Sequence, residues 1–383
     1  MKVGIVVPYS WSFWGGVPEH ADHQARCLFE LGHEARILIG HDPPGRLTKV
    51  LHPRIGRHER PPEYVLPVGR SVIVPANGSL PNLVLTPAAM TRMLRVFREE
   101  RFDVLHVHEP LAPLLSAFAC AYGPRPIVST SHAAGDRVAW YPLGKAFWGI
   151  VADRIDHRIA VSDRARAQAE PYVGGPMEVL PNGVPIPDDA DPDDRLPHVV
   201  FIGRVEPRKG LDVLLRAWPE IVRRTGARLR VVGADPLKAR WLMRRERLSS
   251  ENVDLLGSIS EQALTEELLS ASLLVAPSIG GESFGMVLTR AFACATPVVA
   301  SDIDGYRDVV SPETGELVRP GDPATLAAAV AGLLEDEGRR RMLGVAGRRV
   351  AEERYSWERI VHRLVEIYET LAGVRRLAPV AAP

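Results

Sequence analysis

The sequence predicts an α/β protein built from two Rossmann-like domains. Short apolar segments, each suited to a buried strand, alternate with longer segments of helical periodicity in both halves of the chain. The apolar segments are continuous, which is typical of parallel strands covered on both faces. A length of 383 residues also suits two domains of roughly 150–200 residues each better than a single core. Two such domains imply a cleft between them.

The first half opens with an apolar segment at 2–8 that predicts a buried strand. A helix is predicted at 17–31, where Gly32 ends it. The strands predicted to follow are 34–39, 104–108, 127–132 and 158–162. The segment 41–70 is rich in proline, histidine and arginine and has no predicted element. A loop of this length is usually functional or disordered.

A proline-rich, acidic segment at 181–198 marks the predicted domain boundary, after which the alternation starts again. The predicted strands are 199–203, 229–233, 253–256, 273–277 and 297–301, and the predicted helices are 211–223, 236–247, 261–269, 324–335, 337–353 and 357–371. We therefore expect an N-terminal Rossmann-like domain (1–182), a linker (183–198), a C-terminal Rossmann-like domain (199–356), a helix that returns to the N-terminal domain (357–374) and a disordered tail (375–383).

The composition excludes several classes of protein. Lysine plus arginine and aspartate plus glutamate both number 47, so no global charge favours nucleic acid or an anionic membrane. The three cysteines are far apart among apolar residues, which indicates buried thiols in a reducing cytoplasm and neither a disulfide framework nor a zinc site. Residues 1–7 lack the long apolar segment and the small-residue cleavage site expected of a signal peptide, and no run of about 18 apolar residues is found in the sequence. We expect a soluble or peripheral cytoplasmic protein.

The pair Gly15-Gly16 separates the first predicted strand from the first predicted helix. Glycines here let backbone amides approach an anion, and the helix N-terminus adds a favourable potential. A tight turn is the simpler alternative. The pattern is not GxGxxG, so a nicotinamide cofactor is not indicated.

Two segments in the second half place charged side chains after predicted strands. In the segment 203–210, Arg204 can bind phosphate through two hydrogen bonds and Lys209 can bind it as a flexible cation, which would stabilise a departing diphosphate. The alternative is a solvated charged turn. In the segment 280–291, Glu282 lies between glycines and a hydrophobic helix.

The segment 87–101 predicts an amphipathic helix, because Arg92, Arg95 and Arg98 recur every three residues beside apolar side chains. Such a helix can rest on an anionic lipid surface, where each arginine contributes about 1 kcal/mol. It can equally be a surface helix whose arginine stems cover the core while their charged ends stay in water.

A larger set of short strings carries a family resemblance along nearly the whole chain. The strings are PYS at 8–10 followed by GGV at 15–17, DVLHVHEP at 103–110, IAVSD at 159–163, PNGV at 181–184, EPRKG at 206–210, GGESFG at 280–285 and VASD at 299–302. In these strings and their order the chain resembles the retaining nucleotide-sugar glycosyltransferases of family 4. Among them it looks most like bacterial phosphatidylinositol mannosyltransferases.

The resemblance implies the GT-B fold, with an N-terminal acceptor domain and a C-terminal nucleotide-sugar domain that face each other across a deep cleft. The donor implied by the resemblance is a nucleotide-diphosphate sugar, namely GDP-mannose, with no cofactor and no metal ion. A DxD metal motif at Asp302 and Asp304 is discounted, since aspartate is common at strand ends and helix N-caps. In this family the acceptor proton can pass to the departing diphosphate, so no carboxylate base is required.

The resemblance also assigns residue roles. His132 would face the reacting sugar, Glu282 would accept hydrogen bonds from sugar hydroxyls, and Arg204 and Lys209 would hold the departing diphosphate. For His132 the alternative is a histidine at the edge of the core, bonded to backbone. The implied donor-binding residues are Gly15, Gly16, Arg204, Lys209, Glu282, Ser283, Phe284, Gly285 and Arg290.

Arg290 departs from the family pattern. The resemblance implies a glutamate eight positions after Glu282 that accepts hydrogen bonds from the ribose diol, and arginine has only donors. Loss of such charged hydrogen bonds is worth about 1.5–3 kcal/mol each. Three interpretations remain: another acceptor binds the ribose, Arg290 contacts the donor differently, or the site is degenerate.

The acceptor side departs as well. Asn77 and Ser79 match a segment that contacts inositol phosphate in the mannosyltransferases, and with Tyr9 they are the candidate acceptor residues. The basic residues that follow this segment in the family correspond to Asn82 and Val84 here. Phosphatidylinositol, another phospholipid, a polyprenyl-linked sugar and a soluble glycan all remain candidate acceptors, and the segment 41–70 is a candidate recognition loop.

We therefore expect a retaining glycosyltransferase that moves a sugar from a nucleotide-sugar donor to a lipid or glycan acceptor, in the cytoplasm at the inner face of the plasma membrane. One alternative is a catalytically degenerate nucleotide-sugar or lipid-binding relative. Another is a peripheral-membrane interaction protein built on the helix with Arg92, Arg95 and Arg98. A nucleic-acid partner is not expected, because aromatic stacking residues are almost absent from the basic segment 41–70.

Overall fold

The computed structural model describes residues 1–52, 60–74, 81–132 and 145–373, and the side chains of all of these except 145–147. The candidate acceptor residues Asn77 and Ser79 and the predicted tail at 375–383 lie outside the described residues. The chain divides into two compact units. Unit 1 comprises Met1–Asn182 together with the C-terminal residues from Trp357 onward, and unit 2 comprises Gly183–Ser356.

Unit 1 is built on a parallel sheet with the N-terminal strand at its centre. Its strands are β1 (Lys2–Ser10), β2 (Glu34–Gly40), β3 (Val65–Gly69), β4 (Val72–Ile73), β5 (Asn82–Leu83), β6 (Val104–His108), β7 (Ile127–Ser131), β8 (His157–Ala160) and β9 (Glu178–Val179). Seven of them form the sheet in the order β3-β2-β1-β6-β7-β8-β9, and β4 pairs with β5 in antiparallel fashion. Ile5 on β1 lies opposite Ile37 on β2 and His106 on β6.

The helices of this part of unit 1 follow the strands as crossover connections. They are α1 (Gly16–Glu30), α2 (Arg46–Leu51), α3 (Pro87–Glu100), α4 (Leu115–Tyr122), α5 (Lys145–Arg154) and α6 (Asp163–Val173). In α1 the apolar residues Ala21, Ala25 and Leu28 recur at helical spacing and are fully buried against β1 and β2. This burial holds the N-terminus of α1 next to the C-terminal end of β1.

Unit 2 repeats the architecture. Its strands are β10 (Leu196–Ile202), β11 (Arg228–Val232), β12 (Val253–Gly257), β13 (Ala271–Ala276), β14 (Val298–Ser301) and β15 (Gly315–Val318). They form one sheet in the order β12-β11-β10-β13-β14-β15, with every pair parallel. Counted from β10, this is the strand order of a Rossmann fold.

The helices of unit 2 cover its sheet, and their apolar residues form its core with the strands. They are α7 (Leu211–Thr225), α8 (Pro236–Arg245), α9 (Glu261–Ser270), α10 (Met286–Ala293), α11 (Asp304–Arg307), α12 (Pro323–Glu335) and α13 (Glu337–Val350), with a 3₁₀ turn at Pro207–Lys209 and a π-helical turn at Ala351–Tyr355. Just before β10, the guanidinium of Arg195 donates to the carbonyls of Leu269 and Cys294, which end α9 and follow α10. These bonds satisfy helix C-terminal carbonyls that have no partner within their own helices.

The last helix, α14 (Trp357–Ala372), belongs to unit 1. Its residues Ile360, Leu364 and Tyr368 are buried in the same core as β1 and α1. The chain therefore leaves unit 1 after Asn182 and returns to it at Trp357.

The predicted α/β fold with two Rossmann-like domains is confirmed by this topology. The prediction that 41–70 contains no element was wrong, since α2 and the edge strand β3 lie within it. The helix has only six residues, which is too short to show a periodicity. The strand pairs in parallel with β2, and the sequence by itself does not reveal this partner. None of the described helices is long and apolar enough to cross a bilayer.

Candidate active site

The first part of the candidate site lies where the strand order of unit 2 changes direction, between β10 and β13. Loops that follow the two strands at such a point leave the sheet at the same edge and open a crevice, which is where ligands bind in open parallel sheets. The loop after β10 contains Arg204 and Lys209, and the loop after β13 contains Glu282. The sheet topology therefore brings together two segments that are distant in sequence.

Glycines allow these loops to touch through their backbones. Gly210 has φ +67°, and a Cβ at this position would lie 1.9 Å from the carbonyl oxygen of Pro277. Gly305, on α11, has no room for a side chain either, because its Cβ would lie 2.2 Å from the carbonyl oxygen of Glu282. Both contacts fix the position of the loop that carries Glu282.

Glu282 is the centre of a charged cluster. Its Oε1 lies 2.7 Å from Nζ of Lys209 and 3.0 Å from a terminal guanidinium nitrogen of Arg208, and it accepts a hydrogen bond from Ser278 at 3.3 Å. The side chain of Glu282 is only 12% exposed and that of Lys209 is 16% exposed. A carboxylate at this depth needs such partners, because burial of an unpaired charge is costly.

Arg204 occupies a more open position in the same loop. Its guanidinium pairs with Oε1 of Glu206 at 3.0 Å, and the side chain is 51% exposed. The other oxygen of Glu206 accepts from Nε of Arg208 at 3.0 Å. The sequence prediction treated Arg204 and Lys209 as a pair, whereas in the structure each binds a different glutamate.

A second layer of contacts supports the loop after β13. Ser278 Oγ lies 2.9 Å from the hydroxyl of Tyr306, which is buried. Burial and the neighbouring charge of Glu282 raise the pKa of this tyrosine, so the hydroxyl keeps its proton. Phe284 is buried and packs edge-to-face on Tyr355, with ring centroids 5.6 Å apart.

The remaining predicted donor residues lie at the start of α10. Gly285 has φ +79° and precedes the helix, and Ser283 is half-buried beside it. Arg290 lies within α10, where burial lowers the pKa of its guanidinium. One of its terminal nitrogens lies 3.3 Å from Oε1 of Glu261, the first residue of α9. A carboxylate thus stands beside the arginine, although it comes from a different helix.

The two aspartates of the DxD motif lie beside an arginine in the structure. Asp302 and Asp304 both pair with Arg307, at 2.5 Å and 3.1 Å. These aspartates therefore hold an arginine at the end of β14.

The second part of the candidate site lies in unit 1. Its strand order changes direction between β1 and β6, and the loop after β1 leads through Gly15 into α1. Gly15 and Gly16 are exposed, and among the described residues no side-chain hydrogen bond caps α1 at its N-cap position. The backbone amides of this turn are therefore available to an anion.

His132 directly follows β7 and is joined to a group of buried histidines. Its Nε2 lies 2.9 Å from Nδ1 of His108, and its backbone amide donates to Oε1 of Glu109 at 2.8 Å. His20 lies against both imidazoles, at 5.4 Å from the ring of His108 and 5.2 Å from that of His132. The alternative considered from the sequence was a histidine bonded to backbone, whereas in the structure the imidazole of His132 bonds to another side chain.

The network continues into the core. Nε2 of His108 lies 3.0 Å from Oε1 of Gln24, which can only accept, so this nitrogen carries the proton. Nδ1 of His108 is then an acceptor, and Nε2–H of His132 donates to it. The amide nitrogen of Gln24 donates to the hydroxyl of Tyr368 on α14 at 2.7 Å, and that hydroxyl bonds to His106.

These histidines are neutral. Burial lowers the pKa of His132 to about 3, against a smaller opposing effect of a hydrogen bond with Asn182. Burial and neighbouring imidazoles lower the pKa of His106 to about 3 and those of His20 and His108 well below the ordinary value. Neutral His132 presents Nδ1 as its hydrogen-bond acceptor.

Of the candidate acceptor residues, the structure describes Tyr9. Its side chain is half-buried near the end of β1, and burial followed by the charge of Glu109 raises its pKa. The basic helix α3 buries Met90, Met93 and Phe97. Arg92, Arg95 and Arg98 lie exposed on its other side, so the predicted amphipathic helix is confirmed.

Sequence reasoning missed several residues of these clusters. Arg208 lies between the predicted residues Arg204 and Lys209 in the segment 203–210. This position could have identified it as a further candidate. The sequence gives no signal for Ser278 and Tyr306, because a serine after a strand and a tyrosine in a short helix are common. His108 and Glu109 belong to a quoted string but were given no role, and His20 and Asn182 become significant only through their burial around His132.

The family comparisons cover both units. The family model for glycosyltransferase family 4 matches residues 14–186. The model for glycosyl transferases group 1 matches residues 196–336.

Two curated relatives and one solved structure illustrate the similarity. A phosphatidyl-myo-inositol mannosyltransferase from Mycobacterium leprae is 35% identical over 390 residues, covering 97% of this chain and 97% of its own. A GDP-mannose-dependent alpha-(1-6)-phosphatidylinositol monomannoside mannosyltransferase from Mycolicibacterium smegmatis is 31% identical over 312 residues, covering 73% of this chain and 80% of its own. The sucrose-phosphate synthase from Thermosynechococcus elongatus is similar in fold, with a TM-score of 0.72 and 22% identity over 98% of this chain and 100% of its own.

Proposed function

Because this chain belongs to glycosyltransferase family 4 and has its GT-B fold, we propose that it transfers mannose from GDP-mannose to a phosphatidylinositol lipid, with retention of configuration and without a metal ion. The observation that carries the proposal is the cluster of Arg208, Lys209 and Glu282 at the switch point of unit 2. The names of the relatives, a phosphatidyl-myo-inositol mannosyltransferase and a GDP-mannose-dependent enzyme, support the substrates. Because the relatives that match 97% and 73% of the chain are named as mannosyltransferases, the alternative of a degenerate protein is not supported.

The cluster suits a sugar diphosphate. Arg204, Arg208 and Lys209 bring three cations against the two carboxylates of Glu206 and Glu282, which leaves one positive charge before a ligand binds. The diphosphate competes with Glu282 for Lys209 and with Glu206 for Arg204. Donor binding thereby releases Glu282 to accept hydrogen bonds from sugar hydroxyls.

The same cations stabilise the leaving group. As the bond from the anomeric carbon to the diphosphate breaks, negative charge grows on the phosphate oxygens, and prepositioned cations favour that state. The acceptor hydroxyl forms its bond to the anomeric carbon on the same face, and its proton passes to the departing phosphate. Cationic side chains supply the charge neutralisation that a divalent ion gives in other transferases.

Unit 1 contributes the exposed amides at Gly15 and Gly16 for a donor phosphate and the acceptor Nδ1 of His132 for a sugar hydroxyl. Neutral His132 suits this role, because its charge does not change during the reaction.

For the ribose we propose that Glu261 replaces the glutamate that the family pattern has at the position of Arg290. Its carboxylate lies 3.3 Å from Arg290 and supplies the acceptor that the arginine lacks. Arg290 then orients Glu261.

The acceptor is proposed to be a lipid held at an anionic membrane surface. Arg92, Arg95 and Arg98 form an exposed basic face on α3, which suits contact with acidic phospholipid. The protein would then act at the inner face of the plasma membrane.

The test is a transfer assay with labelled GDP-mannose and phosphatidylinositol vesicles. Mass spectrometry and NMR of the extracted lipid identify the product and its anomeric configuration, and a parallel reaction contains EDTA. We expect an α-mannosyl lipid at undiminished rate in EDTA. Formation of the β-anomer would contradict retention, and a rate that falls in EDTA and recovers with added metal would contradict metal independence. Absence of transfer to phosphatidylinositol, with transfer to another lipid or glycan, would overturn the acceptor.

A further inference from the structure

Helix α8 (Pro236–Arg245) of unit 2 exposes two large apolar side chains next to each other. Leu237 is 74% exposed and Trp241 is 59% exposed, and residues four apart lie on the same face of a helix. The opposite face buries Ala239 and Met243 in the core of the unit. Adjacent exposed apolar groups of this size mark a contact surface, in contrast to apolar residues that are scattered singly.

Basic residues border this apolar pair on both sides. At 100° per residue, Arg240 and Arg244 lie on one side of it, and Lys238 and Arg245 lie on the other. The helix itself contains no acidic residue. The whole outer face of α8 is therefore an apolar centre within a basic border.

The positive charge of this border is largely unneutralised. Within the part of the chain that the structure describes, Lys238, Arg240 and Arg244 form no ion pair, while Arg245 pairs with Glu246 at 2.7 Å. Asp235, at the N-cap, accepts from the amides of Leu237 and Lys238. The nearby carboxylates thus have partners of their own, and the basic face keeps its charge.

Four arginines line an open groove of about 1000 Å³ beside the helix, which extends to β12, the edge strand of the sheet. Arg230 pairs with Glu267, and Asp254, the carboxylate in the lining, pairs with Arg228. Arg240, Arg244 and Arg247 come from α8 and the residues that follow it. Guanidinium groups bind phosphate oxygens through paired hydrogen bonds. The groove therefore suits phosphate-bearing head groups next to the apolar pair.

We propose that α8 is a membrane-contact surface that binds a bilayer containing anionic lipid. Trp241 and Leu237 enter the interfacial region, where tryptophan is preferred, and the basic side chains reach the lipid phosphates with their stems against the apolar layer. A lipid surface fits better than an acidic protein, because the groove lined by Arg240, Arg244 and Arg247 lies directly beside the apolar pair and suits phosphate head groups. This surface is separate from α3, and its binding to vesicles does not depend on the proposed transfer reaction.

Helix α13 (Glu337–Val350) provides a matched control. It exposes Met342 and Val345, at 67% and 52%, and it is also rich in arginine. Three of its five arginines are neutralised, however, since Arg339 pairs with Glu316, Arg341 with Asp193 and Arg348 with Glu352, and Arg340 donates to the backbone carbonyls of Leu333 and Leu334. It therefore exposes two apolar side chains within a border whose charge is mostly paired.

The test is co-sedimentation of the full chain with phosphatidylcholine vesicles, with and without phosphatidylglycerol. We compare the wild type with Leu237→Ser/Trp241→Ser, with Arg240→Gln/Arg244→Gln and with the control Met342→Ser/Val345→Ser, after circular dichroism has shown that each is folded. The expected result is binding of the wild type to anionic vesicles, a loss of roughly tenfold or more in affinity for each α8 variant, and unchanged binding for the control.

Three results would overturn the proposal: no binding of the wild type to anionic vesicles, wild-type affinity in both α8 variants, or an equal loss in the α13 control. Quenching of tryptophan fluorescence by brominated lipid gives a second measurement, and Trp241→Phe should remove much of it. Unchanged quenching in that variant would also contradict insertion of Trp241. Self-association in sedimentation velocity that the α8 variants abolish, without vesicle binding, would assign the face to a second copy of the chain.

Discussion

Nζ of Lys209 lies 2.7 Å from Oε1 of Glu282, so a cation proposed for the diphosphate and a carboxylate proposed for the sugar neutralise each other in the structure. The two residues come from loops that follow neighbouring strands at the switch point of unit 2. In the proposed function, binding of the donor would exchange this ion pair for two ligand contacts. Loss of Lys209 would then affect the site twice, through the leaving group and through Glu282.

The first prediction concerns Lys209→Ala. We expect the turnover number to fall by about 10²-fold or more, because a prepositioned charge on the leaving group is lost. The fold should survive, since Arg208 still pairs with Glu282. Steady-state kinetics with GDP-mannose measures the effect, and Arg223→Ala, which removes an exposed arginine paired with Glu220, is the control. Turnover within twofold of the wild type would show that the leaving group is bound elsewhere.

The second prediction separates backbone strain from steric contact in the loop after β10. Gly210 and Gly226 both have φ +67°, but a Cβ would meet the Pro277 carbonyl oxygen only at Gly210, while nothing lies within 4 Å at Gly226. Gly226→Ala should cost about 1–2 kcal/mol of unfolding free energy from the left-handed backbone. Gly210→Ala should cost several kcal/mol, because the loops must also move apart. Urea unfolding of both variants measures the difference, and equal losses would rule out the close contact.

The third prediction concerns pH. His132 and His106 have pKa values of about 3 in the folded protein because they are buried, whereas an unfolded histidine titrates near 6.5. The unfolded state therefore binds more protons between these values, and stability falls as the pH decreases through this window, by up to about 1.4 kcal/mol per histidine per pH unit.

Thermal unfolding between pH 7 and pH 5 tests this expectation. His106→Gln should reduce the loss of stability on acidification, because one such histidine is removed, and His362→Gln, on the exposed face of α14, should not. A wild-type protein equally stable at both pH values would mean that the histidines take up protons while folded.

The fourth prediction concerns the ribose. Glu261→Gln should weaken GDP binding by roughly 10–100-fold, because a charged hydrogen-bond acceptor is lost. Isothermal titration calorimetry with GDP and with its 2′,3′-dideoxy analogue makes the test specific. The wild type should prefer GDP, and the variant should show a smaller preference, because glutamine accepts only as a neutral group.

Glu266→Gln, on the same helix and bonded to Gln262, is the matched control for this prediction and should bind GDP as the wild type does. If Glu261→Gln retains the full wild-type preference for GDP, the ribose is recognised by another group.

Several parts of the fold and site were predictable because they depend on local sequence. Continuous apolar segments between helical ones indicate parallel strands, since each strand is buried on both faces. Loops after such strands usually carry ligand-binding residues. The sequence therefore predicts Arg204, Lys209 and Glu282 as candidates. Short irregular elements gave no comparable signal, and α2 and β3 were therefore missed.

The sequence by itself determined the α/β architecture, the strings that place the chain in its family and the residue types available for a diphosphate. Only the tertiary structure decided which of them meet. Arg208 and Glu282 are 74 positions apart, Arg290 and Glu261 are 29 apart, and no periodicity connects such residues. Likewise, burial keeps the histidines around His132 neutral. The packing of α8 leaves the side chain of Trp241 exposed to solvent. Charge pairing, pKa and exposure depend on neighbours in space, and those neighbours are set by the order of strands in the sheets.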